Sequence, residues 1–141
     1  MHKLTLLLAL STMICLPASG AGQSADATLP PGVDAFLKRY HAIISAEDAE
    51  GYKNLVHPNG FSSVPIAATI EGWKKYDPRP SVTNVELLDA DAEMVILKVH
   101  TRTHFPEYPL NTRDASLMVL RKWESDWRLW HVSLLDSRKE G

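Results

Sequence analysis

Cysteine is almost absent from this chain of 141 residues: the only one is Cys15, inside an apolar amino-terminal run. Removal of that run leaves no thiol, no disulfide and no thiolate metal site. Long apolar segments are equally scarce. Leu4 to Leu16 is nearly unbroken but too short for a stable membrane anchor, and no second candidate follows it. A glycine-rich phosphate loop, a serine-histidine-acid signature and a redox motif are all missing. So is an excess of positive charge: 15 Lys and Arg stand against 17 Asp and Glu. The balance offers nothing to nucleic acid or to an anionic membrane.

The amino terminus has a positive start at Lys3, the apolar run, the breaker Pro17 and then the small residues Ala18, Ser19, Gly20 and Ala21. In that order they predict a signal peptide over residues 1–21, cleaved after Ala21, and an exported protein, secreted or periplasmic. Lipid modification of Cys15 is disfavoured, though still open, because Ile14 before it is not small. Residues 22–32 are polar, Ala-rich and aperiodic, the pattern of a disordered leader. Loss of Lys3 with the signal leaves 14 basic against 17 acidic residues, a formal charge of −3. Residues 33–141 have the length and apolar content of one domain.

Val33, Phe36, Leu37, Tyr40, Ile43 and Ile44 follow helical spacing, which predicts a first helix from Val33 to Ala46. Asp48 can cap a second helix that carries Tyr52, Leu55 and Val56 and stops at Pro58. Ile66, Ile70 and Trp73 mark a weaker third helix before Pro78 and Pro80. Beyond Pro80 the period changes to two. The runs Val82 to Leu88, Met94 to Phe105, Ala115 to Trp123 and Trp127 to Leu135 read as consecutive antiparallel strands, with a short extra strand near Phe61 to Val64. The fold class is therefore α+β: a cone-shaped, strongly bent antiparallel sheet packed against three amino-terminal helices. Both alternations of the strands carry apolar side chains, so the face left bare by the helices is expected to meet a second copy of the chain, with Trp130, Val132 and Leu134 at the contact. Burial by loops and the leader is the alternative.

Two passages carry a family likeness. Arg39-Tyr40 through Asp48-Ala49-Glu50-Gly51 to Leu55-Val56 looks like the opening helix pair of the ketosteroid isomerase branch. Trp127-Arg128-Leu129-Trp130-His131-Val132-Ser133 is similar to the closing strand of many small members. With the element order, the chain resembles the nuclear-transport-factor-2-like superfamily from Val33 to about Asp136. The resemblance implies a hollow cone and makes Tyr40 a donor lining it. Position 40 also lies on the apolar helical stripe, where a tyrosine is as readily a core residue with a partnered hydroxyl. Isomerase chemistry further needs a carboxylate base on the strand after the second helix. Gly60-Phe61-Ser62-Ser63-Val64-Pro65 has none.

Five histidines follow the signal, and no two of them share a predicted helix. His100 and His104 would stand about 13 Å apart at strand rise, so no metal is expected. His57, at the end of the second helix, reads either as a cap for its last carbonyls or as a pocket residue. His131 alternates in phase with Trp127, Leu129 and Ser133, which puts it on the concave face. Tyr40, His131 and Asp114 form the nearest candidate for a dehydratase-type set, although Asp114 beside Arg113 also suits a solvated turn or a surface ion pair. Trp73, at the expected mouth, could cover a flat apolar ligand. The candidate ligand-binding residues are Tyr40, His57, Trp73, Asp114 and His131. The expected function is binding of a small hydrophobic molecule, without a cofactor. A dehydratase or isomerase-like enzyme and an interaction module are the alternatives.

Overall fold

A computed structural model describes residues 28–63 and 65–140. The predicted signal peptide and most of the predicted leader lie outside the described residues. Three helices come first, α1 (Val33–Ser45), α2 (Ala49–Leu55) and α3 (Ile66–Tyr76), with a 3-10 turn at Phe61–Ser63 between the last two. Four strands follow, β1 (Arg79–Ala90), β2 (Met94–Phe105), β3 (Leu110–Trp123) and β4 (Asp126–Glu140), paired antiparallel in sequence order.

Each helix ends where local chemistry stops it. Gly32 caps α1 at φ 84°, a conformation open to glycine without strain. The indole of Trp127 packs against it and donates from Nε1 to the Pro31 carbonyl at 2.8 Å, which fixes the start of α1 to β4. The Asp48 side chain accepts from the Gly51 N–H at 2.9 Å, the cap expected for α2. Asp77 closes α3 in the left-handed region, its N–H returning to the Trp73 carbonyl.

The apolar stripe of α1 is buried against the inward side chains of the sheet. Val95, Leu97, Leu120 and Leu129 are fully enclosed there. Tyr52 and Leu55 from α2 and Val56 just after it join this core, and Ile70 and Trp73 join it from α3. Burial of this kind stabilises by about 25 cal/mol per Å² of apolar surface, which makes it the main force holding helices to sheet.

The predicted extra strand near Phe61 is corrected. Phe61–Ser63 forms the 3-10 turn, while the strand-like bridge to the sheet is made earlier, parallel, between Val56 and Leu129. A side chain replaces the expected ladder: Ser62 Oγ accepts from the Val132 N–H at 3.2 Å. Gly60 passes so close to β4 that a Cβ there would stand 2.7 Å from the Trp130 carbonyl oxygen.

Two bulges in β4 decide which residues face the helices. Val119 pairs with His131 but Leu120 with Leu129, so Trp130 is an extra residue; Ser116 pairs with Leu134 but Ala115 with Asp136, so Leu135 is another. Each bulge reverses the alternation. Trp127 and Leu129 point inward, and beyond Trp130 the inward positions are Val132 and Leu134. Trp130, Val132 and Leu134 therefore do not share one face, and the expected dimer contact built on them is corrected. The outer face is also more charged than the alternation implied. His100 Nε2 lies 2.6 Å from Glu86, and Arg102 and Arg113 both donate from Nε to Glu140.

Candidate functional site

Between α1, α3 and the inward face of the sheet lies a cavity of about 210 Å³. Its apolar wall includes Ile44, Trp73, Val99, Met118 and Val132, with Leu134 and the two prolines Pro78 and Pro80 also lining it. Its polar groups come from two directions. Tyr40 and His41 descend from α1, and Thr101, Thr103, Asp114 and Ser116 rise from β2 and β3.

Tyr40 is 9% exposed and packs its ring against Phe36, His41 and Tyr52. Among the described residues its hydroxyl has no hydrogen-bond partner, so the polar end is left to the cavity. Burial, with a smaller contribution from neighbouring Tyr52, raises the phenol far above its ordinary value. It stays protonated and can donate. Tyr52 is the contrasting case: it is 2% exposed and outside the cavity lining, and its hydroxyl pKa is pushed up by burial and partly held back by the Thr69 side chain.

Asp114 sits on β3, paired across to Thr101 and Ser137. Three hydroxyls donate to its carboxylate: Thr103 at 3.0 Å and Thr112 at 2.9 Å to Oδ2, and Ser137 at 2.6 Å to Oδ1. A carboxylate has about four acceptor positions, so one is left over. The reading of Asp114 as a solvated turn residue or ion-pair partner is corrected, since Arg113 points to the opposite face and holds Glu140.

His41 lies one residue beyond Tyr40 on the edge of the α1 stripe. Its Nδ1 is 2.7 Å from the Leu37 carbonyl, which can only accept, so Nδ1 carries the proton and donates. Burial lowers its pKa, partly opposed by that bond, and the neutral ring keeps Nε2 as an acceptor.

The five sequence candidates divide. Tyr40, Trp73 and Asp114 line this cavity, while His57 and His131 do not. The concave placement of His131 is corrected because the Trp130 bulge turns it to the outer face, where its ring meets Phe61 at 6.0 Å. His57 is buried between the indoles of Trp123 and Trp130, at 5.0 and 4.8 Å. It does not cap α2: its Nδ1 accepts from the Asn59 N–H, and its own N–H donates to the Leu129 carbonyl. Burial and the nearby Arg121 lower its pKa, so it is a neutral packing residue. Sequence reasoning passed over His41, Thr101, Thr103 and Ser116. The available signal was the alternation of Val99, Thr101 and Thr103 on β2 opposite Asp114, Ser116 and Met118 on β3.

No protein-family model matches the sequence, and no curated protein matches it. Solved structures do resemble the fold. An uncharacterised protein with a cystatin-like fold from Caulobacter vibrioides superposes with a TM-score of 0.60 at 13% identity, over 74% of this chain and 88% of its own. An NTF2-like protein from Cytophaga hutchinsonii gives 0.59 at 17% identity, over 72% and 93%. Bd1075 from Bdellovibrio bacteriovorus gives 0.61 at 8% identity over 72% of this chain, which spans only 38% of that protein. At these identities the likeness concerns the fold alone: the chain has the nuclear-transport-factor-2-like fold expected from its element order.

Proposed function

We propose that this protein binds a small molecule in the cavity between α1, α3 and the sheet, and that it holds the molecule without converting it. One observation carries the reading. A mainly apolar hollow contains a buried tyrosine hydroxyl with no hydrogen-bond partner among the described residues and a carboxylate with one acceptor position left, which is the usual composition of a ligand site. At about 210 Å³ it is worth roughly seven water volumes, below the usual range for drug-sized ligands, so the occupant is compact.

Binding is favoured over turnover by the state of the polar groups. The Tyr40 phenol is held protonated, and the Asp114 carboxylate is pinned by three hydroxyls, an arrangement that orients a ligand. A dehydratase-type reading draws support from the gathering of Tyr40, His41 and Asp114 in one cavity, with His41 in the place expected for His131. Export rests on the order of Lys3, the apolar run and the small residues ending at Ala21. Self-association remains part of the reading, through the outer face, where Phe61 is 70% exposed against Trp130 and His131.

Native mass spectrometry of the protein purified from its own host tests binding and assembly together. A small non-covalent adduct that is absent from a Met118→Trp variant, whose larger ring fills the cavity, supports the reading. An adduct retained by that variant, or none in the wild-type protein, contradicts it.

A further inference from the structure

The charge of the cavity lining is one-sided. Asp114 offers a carboxylate acceptor, and His41 offers Nε2 once its Nδ1–H is committed to Leu37. Of the remaining polar side chains of the lining, those of Tyr40, Thr101, Thr103 and Ser116 are hydroxyls that can either donate or accept, and Trp73 adds an indole N–H that can only donate. Thr103 has already spent its proton on Asp114. Among the described residues no Lys or Arg lines the cavity and Asp114 belongs to no ion pair. Its carboxylate is held by neutral hydroxyls alone.

Charge and hydrogen bonding then select the same ligand chemistry. An anionic ligand would meet Asp114 with no cation to offset the repulsion, and a purely acceptor-bearing ligand would leave both acceptors unpaired. A protonated amine has three donors and one positive charge. It can give one N–H to the open position on Asp114 and others to His41 or a hydroxyl oxygen, while an apolar body lies against Trp73, Val99 and Met118. We propose that the cavity takes a compact cationic amine with an apolar or aromatic body, its ammonium set against Asp114. This assignment rests on the cavity-binding reading above and adds the ligand's charge to it.

The test compares three probes of similar shape, benzylamine, benzyl alcohol and benzoate, by titration calorimetry and nuclear magnetic resonance on the protein as purified from its host. Benzylamine should bind roughly five- to tenfold tighter than benzyl alcohol, because a hydrogen bond to a charged group exceeds a neutral one by about that factor. Benzoate should bind weakest. The Asp114→Asn variant keeps the side-chain size and should abolish the preference for the amine, while Tyr40→Phe should retain it. Should Asp114→Asn prove unstable, the ranking of the three probes on the wild-type protein still decides. Equal binding of amine and alcohol, or tightest binding of benzoate, overturns the amine assignment and leaves the cavity reading standing. If none of the three binds in the cavity, both fall.

Discussion

Replacing Tyr40 by phenylalanine removes one oxygen and nothing else, and the structure gives that change a sign in two separate measurements. The ring of Tyr40 stacks on Phe36, meets His41 edge to face and lies tilted against Tyr52, contacts that phenylalanine keeps. The hydroxyl has no protein partner among the described residues, so its loss should leave stability unchanged or raise it by up to about 1 kcal/mol. Binding should move the other way. A hydroxyl that orients a ligand contributes about 0.5–1.5 kcal/mol, so affinity for a benzyl probe should fall roughly two- to twelvefold. Tyr52 is the internal control, since its hydroxyl interacts with the Thr69 side chain and the residue lies outside the cavity lining. Tyr52→Phe should cost about 0.5–1.5 kcal/mol of stability and leave affinity alone. Urea unfolding and calorimetric titration of both variants read the two signs. If Tyr40→Phe lowers stability as Tyr52→Phe does and leaves binding unchanged, Tyr40 is a satisfied core residue and the reasoning fails.

Three further outcomes follow from the same geometry. Gly60→Ala should destabilise by about 1–3 kcal/mol, because the new Cβ would collide with the Trp130 backbone, and a urea midpoint equal to wild type would contradict the close approach. His41 and His57 have folded pKa values below the ordinary 6.5, so the unfolded chain binds more protons as acidity rises. Stability should be full above pH 6.5 and decline as pH falls from there towards the lowered folded values, and a urea midpoint that is flat or rising between pH 7.5 and 5 would refute this. Light scattering at micromolar concentration should give twice the chain mass, and Phe61→Asp should give a monomer with unchanged helical signal. A wild-type monomer would remove the outer-face interface.

The helices were legible because burial on α1 recurs at helical spacing from Val33 to Ile44, and because Asp48 and Pro58 bound α2 chemically. Strand limits were close for the same reason: Met94–Phe105 is the predicted run itself. Side-chain facing along β4 was not legible. One extra residue at Trp130 reverses the positions from His131 to Leu134, until the second bulge at Leu135, and the first bulge coincides with contacts from Gly60 and Ser62, about 70 positions earlier in the chain. Hence His131 was assigned to the wrong face, and Val132 was assigned to an interface when it lines the cavity. Phe61–Ser63 looked extended for a related reason, since its link to the sheet runs through a serine hydroxyl that strand periodicity does not register. Tyr40, Trp73 and Asp114 could be named from helix phase and element order. The hydroxyls around Asp114 could not, because Thr103, Thr112 and Ser137 come from three strands and converge only through register.

The central claim is that a small molecule occupies the space between Tyr40, Trp73, Asp114 and Met118. Intermolecular nuclear Overhauser effects between bound benzylamine and the methyl groups of the labelled protein test it most directly. The account predicts contacts from the aromatic protons to Val99, Met118 and Val132, lost in Met118→Trp. Contacts confined to residues outside this lining, or unchanged in that variant, would contradict it.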